Sequence, residues 1–297
     1  MAKVKKRKTD GFQDTADLFA PFVDFNFLLK RSNGFRDVET PGNNLLFLKN
    51  IPLENVNDSG VENKGTDWML KRMGDGNFKF SRRWAWLYRH YIWAYNVTKG
   101  RAHLVDLGCD VGEIRNLISK SFYTKNPLYV GVDMGWDRLK AGAAGIQMRI
   151  PAIYIQHDVT TGLGFLKDHS VDYIMAGEII EHFKKKFGKL FLKEIHRVLV
   201  KGGMVMLSTP NRRHTKNYDF HVYEYGVPEL VAMVKEVGFK VKKVYGWTTT
   251  EKCVRENPKL YKQLGILKRK INKDLVVPFM AYLDPEVSEA FCIEAEK

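Results

Sequence analysis

The chain has 297 residues, 44% of them hydrophobic and 28% charged, and a net charge of +14, the composition of a soluble globular protein long enough for one α/β domain with an extension. No apolar run reaches the ~18 residues that a membrane helix needs, and three widely spaced cysteines, Cys109, Cys253 and Cys292, argue against a disulfide framework and for reduced thiols in a cytoplasmic setting. Residues 1–80 carry 13 Lys/Arg against 11 Asp/Glu, so nearly all the positive charge lies beyond them, where it suits a polyanion such as nucleic acid or serves solubility alone.

Residues 1–10 read as a disordered basic arm (Lys3, Lys5, Lys6, Arg7 and Lys8), with no apolar core behind it to make a secretory signal. Residues 11–80 show no sustained period. They read as an irregular N-terminal extension packed partly on the core through Phe19, Phe22, Phe25, Phe27 and Leu28, punctuated by Asn and Gly turn signals. Residues 82–97 form an aromatic-rich helix. From residue 103 on, apolar strands at 103–107, 128–132, 152–156, 173–176, 203–208 and 240–245 alternate with helices at about 112–121, 136–144, 184–199 and 228–237. A helical insertion follows at about 251–273, then a last, antiparallel strand at 289–296. Strand–helix alternation with short loops predicts parallel βαβ units. The expectation is an α/β fold: a doubly wound, mostly parallel seven-stranded sheet with helices on both faces, over residues 81–297.

Residues 104–112 read Leu-Val-Asp-Leu-Gly-Cys-Asp-Val-Gly. A strand that carries a carboxylate into a turn with glycines at Gly108 and Gly112 lets backbone approach a ligand closely. In open α/β sheets ligands sit at the carboxyl ends of the strands. Those ends carry, in order, Asp106, Asp133, Asp158 and Glu178. Asp133, at the second strand's end, suits ribose hydroxyls because a carboxylate accepts two hydrogen bonds. Asp158, in His157-Asp158-Val159, suits an adenine amino group. The turn lacks the three-glycine dinucleotide spacing, and no Gly-Lys-Ser/Thr motif is present.

In these stretches the sequence resembles the class I S-adenosylmethionine-dependent methyltransferases, over about residues 84–247. Asp-Leu-Gly-Cys-Asp-Val-Gly is similar to the family's first motif, Gly-Val-Asp to the second and His-Asp-Val to the third. Gly-Glu-Ile-Ile-Glu-His is similar to the fourth, and Leu-Val-Lys-Gly-Gly-Met-Val-Met-Leu-Ser-Thr-Pro-Asn to the segment through strand five. The resemblance implies S-adenosylmethionine as cofactor. Asp106, Gly108 and Gly112 would line its methionine part, Asp133 its ribose, and Asp158 with Val159 its adenine, with Cys109, Met134 and Glu178 completing the set. One departure is Asp110, where the family has its middle glycine. Its carboxylate would face the ligand's amino group or turn outward, and it is the one hint of a cofactor-binding protein without chemistry.

Such a cofactor carries its methyl group on a sulfonium, so the protein's task is alignment and exclusion of water. A neutral oxygen or nitrogen acceptor also needs a base or a metal nearby. Glu178, Glu181 and His182 fall at i, i+3 and i+4 and share a face if a helix starts at Glu178. After Asn211 come His214, Tyr218 and His221. His182 or His221 is the expected base, with Glu178 beside them, and His214 lies in a basic, mobile run. Glu178, Glu181, His182 and His221 could together hold Mg²⁺ or Mn²⁺. The resemblance sharpens this: Glu-x-x-Glu-His with a later His is similar to the metal set of the small-RNA 3′-terminal 2′-O-methyltransferases, although metal-free members carry the same string. The acceptor is then a small-molecule or sugar-containing compound, or alternatively RNA or DNA. Residues 221–225 border the acceptor pocket or form a plain connector with Tyr223 and Tyr225 in the core. Three basic groups are solvated faces or phosphate contacts: Lys184-Lys185-Lys186 with Lys189 and Lys193, Arg82, Arg83 and Arg89 among the aromatics, and Lys268-Arg269-Lys270.

Overall fold

The computed structural model describes residues 16–31, 45–49, 103–110, 112, 115, 128–144, 151–215, 220–271 and 273–297. Eight strands form one sheet: β1 (Leu45–Lys49), β2 (His103–Leu107), β3 (Leu128–Asp133), β4 (Ala152–Gln156), β5 (Val171–Gly177), β6 (Leu199–Pro210), β7 (Lys240–Thr248) and β8 (Ala290–Glu296). Their spatial order is β1-β4-β3-β2-β5-β6-β8-β7. The pairs from β1 to β6 are parallel, whereas β8 runs antiparallel to both β6 and β7. All seven expected strands are present, and the last has the expected direction. The chain leaves β2 for β3 and β4 on one side and returns to β5 and β6 on the other. The order therefore reverses beside β2, the switch point where such sheets bind ligands.

The strands are near-continuous apolar runs because helices cover both faces. On one face Val105, Leu107, Val130, Val132, Ile153, Ile155, Ile174 and Ala176 pack against two helices, α3 (Lys185–Val198) and α4 (Val227–Val237). Phe191, Leu192, Ile195 and Val198 supply α3's buried stripe at helical spacing. On the other face Leu104, Tyr129, Tyr154, Tyr173 and Met175 pack with Leu139 of α2 (Trp136–Ala144) and with the half-buried Tyr282. Alternation along β2 thus sends Asp106 to the same face as the tyrosines.

Two departures from expectation concern the extension and the insertion. Residues 45–49 fall within the stretch read as irregular, yet they pair in parallel with β4, from Leu45 opposite Ala152 to Lys49 opposite Gln156. A short helix, α1 (Phe25–Arg31), precedes them, and Phe19, Phe22 and Leu28 are fully buried in the main core. The pattern hides β1 because a five-residue apolar run reads equally as helix or strand, and its partner lies far along the chain. The insertion holds three helices, α5 (Glu251–Val254), α6 (Pro258–Leu267) and α7 (Lys273–Leu283), and so reaches ten residues further than expected. Val254, Leu260, Leu264, Val276, Met280 and Val287 give it a small core of its own. The basic arm, the aromatic helix at 82–97 and most of the helix at 112–121 lie outside the described residues. No helix among the described residues is long and apolar enough to cross a membrane.

Candidate active site

The four acidic strand ends stand on the adjacent strands β4, β3, β2 and β5, at the carboxyl edge of the sheet. Asp106 is almost fully buried, and Tyr129 Oη donates to its Oδ2 at 2.8 Å. Burial pushes the Asp106 carboxyl up to about 7, with the Asp133 and Asp110 charges adding to the rise and the Tyr129 bond opposing it. Asp133 binds the glycine turn to its own strand. Its Oδ2 accepts from Asp110 N at 2.9 Å and its Oδ1 from Gly135 N at 2.8 Å. Partial burial raises this carboxyl too, against the pull of those two N–H groups.

Gly108 and Gly112 both adopt left-handed backbone, with φ of 73° and 69°. At Gly112 a Cβ would stand 2.6 Å from Tyr154 Oη, so the turn closes on the tyrosine face only with glycine there. Cys109 between them is buried against Tyr129 and Tyr154, and burial first, then the neighbouring Asp106 charge, holds its thiol well above the usual range. It is a packing group, as its type suggests. Asp110 also has positive φ, 49°, and its Oδ1 accepts from Arg138 at 2.7 Å. Asp110 is expected to face the ligand's amino group or to turn outward; the structure pairs its carboxylate with Arg138 of α2.

Further along the edge, Gln156 Nε2 donates to the Met134 carbonyl at 2.8 Å, and its Oε1 is buried without a partner among the described residues. Asp158 caps the turn that begins at Val159, its Oδ1 accepting from Thr160 N at 2.9 Å and from Thr160 Oγ1 at 2.7 Å. Val159 is buried beside it.

On the other side of β2 no helix starts at Glu178, so the shared face that such a start would give is not made. Glu178 takes φ of 52°, and Ser208 Oγ donates to its Oε1 at 2.6 Å. Only a single 3₁₀ turn, Ile180–His182, follows before α3 begins. Among the described residues, one ligand atom each of Glu181, His182 and His221 lies within 4.8 Å of the others, and Glu178 does not join them. Glu181 is wholly buried. Its Oε2 accepts from Thr209 Oγ1 at 3.0 Å, while its Oε1 has no hydrogen-bond partner among the described residues. Burial, and the charge of Glu178, raise its carboxyl well above the usual range. Its backbone carbonyl accepts from Val222 N and Tyr223 N at 2.8 and 2.9 Å, which pins the connector after β6 over this turn.

That connector brings His221 next to His182, with ring centroids 5.4 Å apart. His182 Nδ1 donates to the Phe220 carbonyl at 3.1 Å. The protein packed around His182, and then His221, hold its imidazole below the ordinary histidine value. His221 Nδ1 lies 2.6 Å from Glu224 Oε1, and both side chains are buried. Burial opposes ionisation of Glu224, but bonds from His221 and Thr215 prevail and keep it below its ordinary value. An ionised Glu224 takes the hydrogen on Nδ1 and leaves Nε2 as acceptor. Tyr225 is buried and Tyr223 half-buried. His214, expected in a mobile run, is buried instead, its Nε2 2.6 Å from the Glu286 carbonyl. Tyr218 lies outside the described residues. Sequence reasoning missed Tyr129, Gln156, Arg138 and Glu224. Only Glu224 left a signal, three residues after His221.

The methyltransferase domain family matches residues 105–207. A protein of Mycolicibacterium smegmatis named "Probable S-adenosylmethionine-dependent methyltransferase" is 34% identical over 119 residues, which cover 38% of this chain and 45% of that one. The chain thus spans about half the length of the curated relative it matches. An S-adenosylmethionine-dependent methyltransferase from Archaeoglobus fulgidus shares the fold with a TM-score of 0.52 at 18% identity, over 77% of this chain and 99% of its own. A small RNA methyltransferase, HEN1, does so with a TM-score of 0.51 at 14% identity, over 70% of this chain and 25% of its own. Domain match, relatives and fold agree with the order of strand-end acids: residues 105–207 are similar to a methyltransferase domain, and the fold is shared with S-adenosylmethionine-dependent methyltransferases.

Proposed function

We propose that the protein transfers a methyl group from S-adenosylmethionine to an oxygen or nitrogen of a small-molecule or sugar-containing acceptor, with His221 as general base. The observation that carries this reading is the buried His221–Glu224 pair, on the connector that follows β6 and is pinned over the turn after β5. The bound cofactor supplies an electrophilic methyl group on a sulfonium.

Asp133 accepts ribose hydroxyls with lone pairs not taken by its two backbone donors. Met134 and Val159 flank the adenine, Asp158 and Gln156 Oε1 offer it acceptors, and Gly108 with Gly112 lets the turn meet the methionine part. Asp106 faces the ammonium group from the tyrosine side, with Cys109 filling the space behind. Glu178, held by Ser208, closes the cleft at β5. Glu224 fixes the His221 tautomer, and His221 Nε2 would take the acceptor's proton as the acceptor–methyl bond forms and the methyl–sulfur bond breaks, its electron pair left on a neutral thioether. The three cysteines, Cys109, Cys253 and Cys292, are buried and form no disulfide among the described residues, which suits a reducing, cytoplasmic compartment.

A second reading, metal-assisted 2′-O-methylation of RNA, is favoured by the cluster of Glu181, His182 and His221. An orphaned carboxylate oxygen beside two imidazoles fits Mg²⁺ or Mn²⁺. A cation there would lower the pKa of an acceptor hydroxyl. Glu181 Oε1 would then gain the partner it lacks, and His182 and His221 would orient the ion.

Labelled cofactor incubated with fractionated metabolites, RNA and DNA tests both. The first reading expects label in a metabolite fraction, with turnover indifferent to chelator and lowered ~100- to 10,000-fold in His221→Ala. Label in RNA that vanishes with chelator and returns with Mn²⁺ selects the second. No label in any fraction, with cofactor still bound, rejects both.

A further inference from the structure

Residues 258–271, which form α6 and the turn after it, contain Lys259, Lys262, Lys268, Arg269 and Lys270 and no carboxylate. Lys268 is held by Glu251 at 2.6 Å. The other four cations are exposed, and among the described residues no ion pair engages them. Bonds from Lys268 N to Leu264 O and from Ile271 N to Leu267 O, both 2.9 Å, carry the coil beyond the helix proper. Positions 259, 262, 266, 269 and 270 therefore lie on one face, and the fifth of them, Ile266, is 52% exposed. Tyr261 stands at the flank, also exposed, with the Arg255 guanidinium 5.4 Å from its ring centre.

We propose that this outward face of α6 is a docking surface for single-stranded nucleic acid. Four exposed cations on three turns repel one another, and a row of phosphates relieves that repulsion. An exposed aromatic beside the row offers a stacking platform for a base. A membrane surface fits less well. A helix lying in a bilayer interface needs a free apolar stripe, and here that stripe, Leu260 and Leu264, is buried against Val254, Val276, Met280 and Val287.

The insertion also stands at the right edge. It leaves β7 at Thr248 and returns at Ala290, and Thr248 and Pro210 both lie opposite Ala290, so it overhangs the carboxyl end of β6. Arg213 binds Glu256 at 2.9 Å and reaches Glu286 at 3.8 Å, and Asn211 Nδ2 donates to the Ser288 carbonyl at 3.0 Å. The segment that leads to His221 is thereby fastened to the insertion. A strand held on α6 is tethered on the reactive side of the sheet. That this strand is the methyl acceptor rests on the function proposed above, in its nucleic-acid form, whereas the docking does not.

The test is fluorescence anisotropy of a labelled single-stranded oligonucleotide of mixed sequence with the full chain, over a range of salt. It is repeated with the combined variant Lys259→Glu, Lys262→Glu, Arg269→Glu and Lys270→Glu. Affinity is expected to fall at least ~100-fold at low salt, and the log–log salt slope to shrink by about 3, the loss of four phosphate contacts. Tyr261→Ala should weaken binding by about tenfold. The thermal midpoint and calorimetric cofactor binding should stay unchanged, because all the altered side chains are exposed. Equal affinity of parent and variant, no binding by the parent, or preference for phosphatidylserine vesicles over the oligonucleotide overturns the proposal. Loss of cofactor binding by the parent chain with docking intact would strike the methyl-transfer reading alone.

Discussion

Asp106 couples the site to pH. Its carboxyl, ordinarily near 3.8, is pushed to about 7 by burial among Cys109, Tyr129 and Tyr154. A carboxyl whose value is higher in the folded chain binds its proton more tightly there. Its protonated form therefore favours the fold, and that contribution drains away as pH rises from the ordinary value to about 7, after which the loss is constant. An ammonium group beside Asp106 prefers it ionised. Cofactor affinity is expected to rise from about pH 6 to about pH 8, and Asp106→Asn to flatten the rise. Calorimetric titration across that window reads both; a flat profile in the parent chain would remove Asp106 from the ligand's surroundings. The residue scale also explains Asp110. At a position where a glycine serves for positive φ, an aspartate tolerates the left-handed backbone and gains an ion pair with Arg138.

At the scale of elements, the sheet's core reaches into the stretch before the methyltransferase strands. Phe22 is fully buried, stacks on His103 with ring centres 4.3 Å apart, and is followed by the Val23–Leu166 bridge. Phe22→Ala should cost about 3–5 kcal/mol, seen as a lower urea midpoint at unchanged slope. A cost near zero would mean that this segment is an appendage. The turn after β5 obeys the same logic in reverse. Its 3₁₀ geometry takes Glu178 out of line with Glu181 and His182, and a hydrogen bond from the Ser208 hydroxyl holds its carboxylate.

For the whole molecule, cofactor binding and stability are linked. A ligand at 100 times its Kd adds about 2.7 kcal/mol to a fold that binds it, roughly 5–10 °C in Tm for a domain of this size. S-adenosylmethionine should produce that shift. Asp133→Ala, which loses charged hydrogen bonds worth ~1–3 kcal/mol, should reduce it without changing the Tm gain from any ligand bound at α6. Differential scanning fluorimetry decides, and an undiminished shift in the variant would take Asp133 out of the site. The positive charge is also distributed: Lys185, Lys189, Arg197, Arg212 and Arg213 are all paired with carboxylates, whereas residues 258–271 contain five cations and no carboxylate.

Strand–helix alternation, the glycine turn and the acids at successive strand ends were legible in the chain by itself, because each depends on local periodicity or on residues adjacent in sequence. So was the antiparallel last strand, whose alternation is local too. Only the tertiary structure decided what depends on distant partners. The edge strand at residues 45–49 exists by pairing with β4. The exclusion of Glu178 from the histidine cluster follows from a positive φ and a bond to Ser208, thirty positions on. Glu224 gains its place because the connector folds back over Glu181, and Gln156 and Tyr129 matter because the sheet sets them beside Met134 and Asp106. Spacing tells which residues share a face of one element, whereas which distant side chains that face meets is a property of packing.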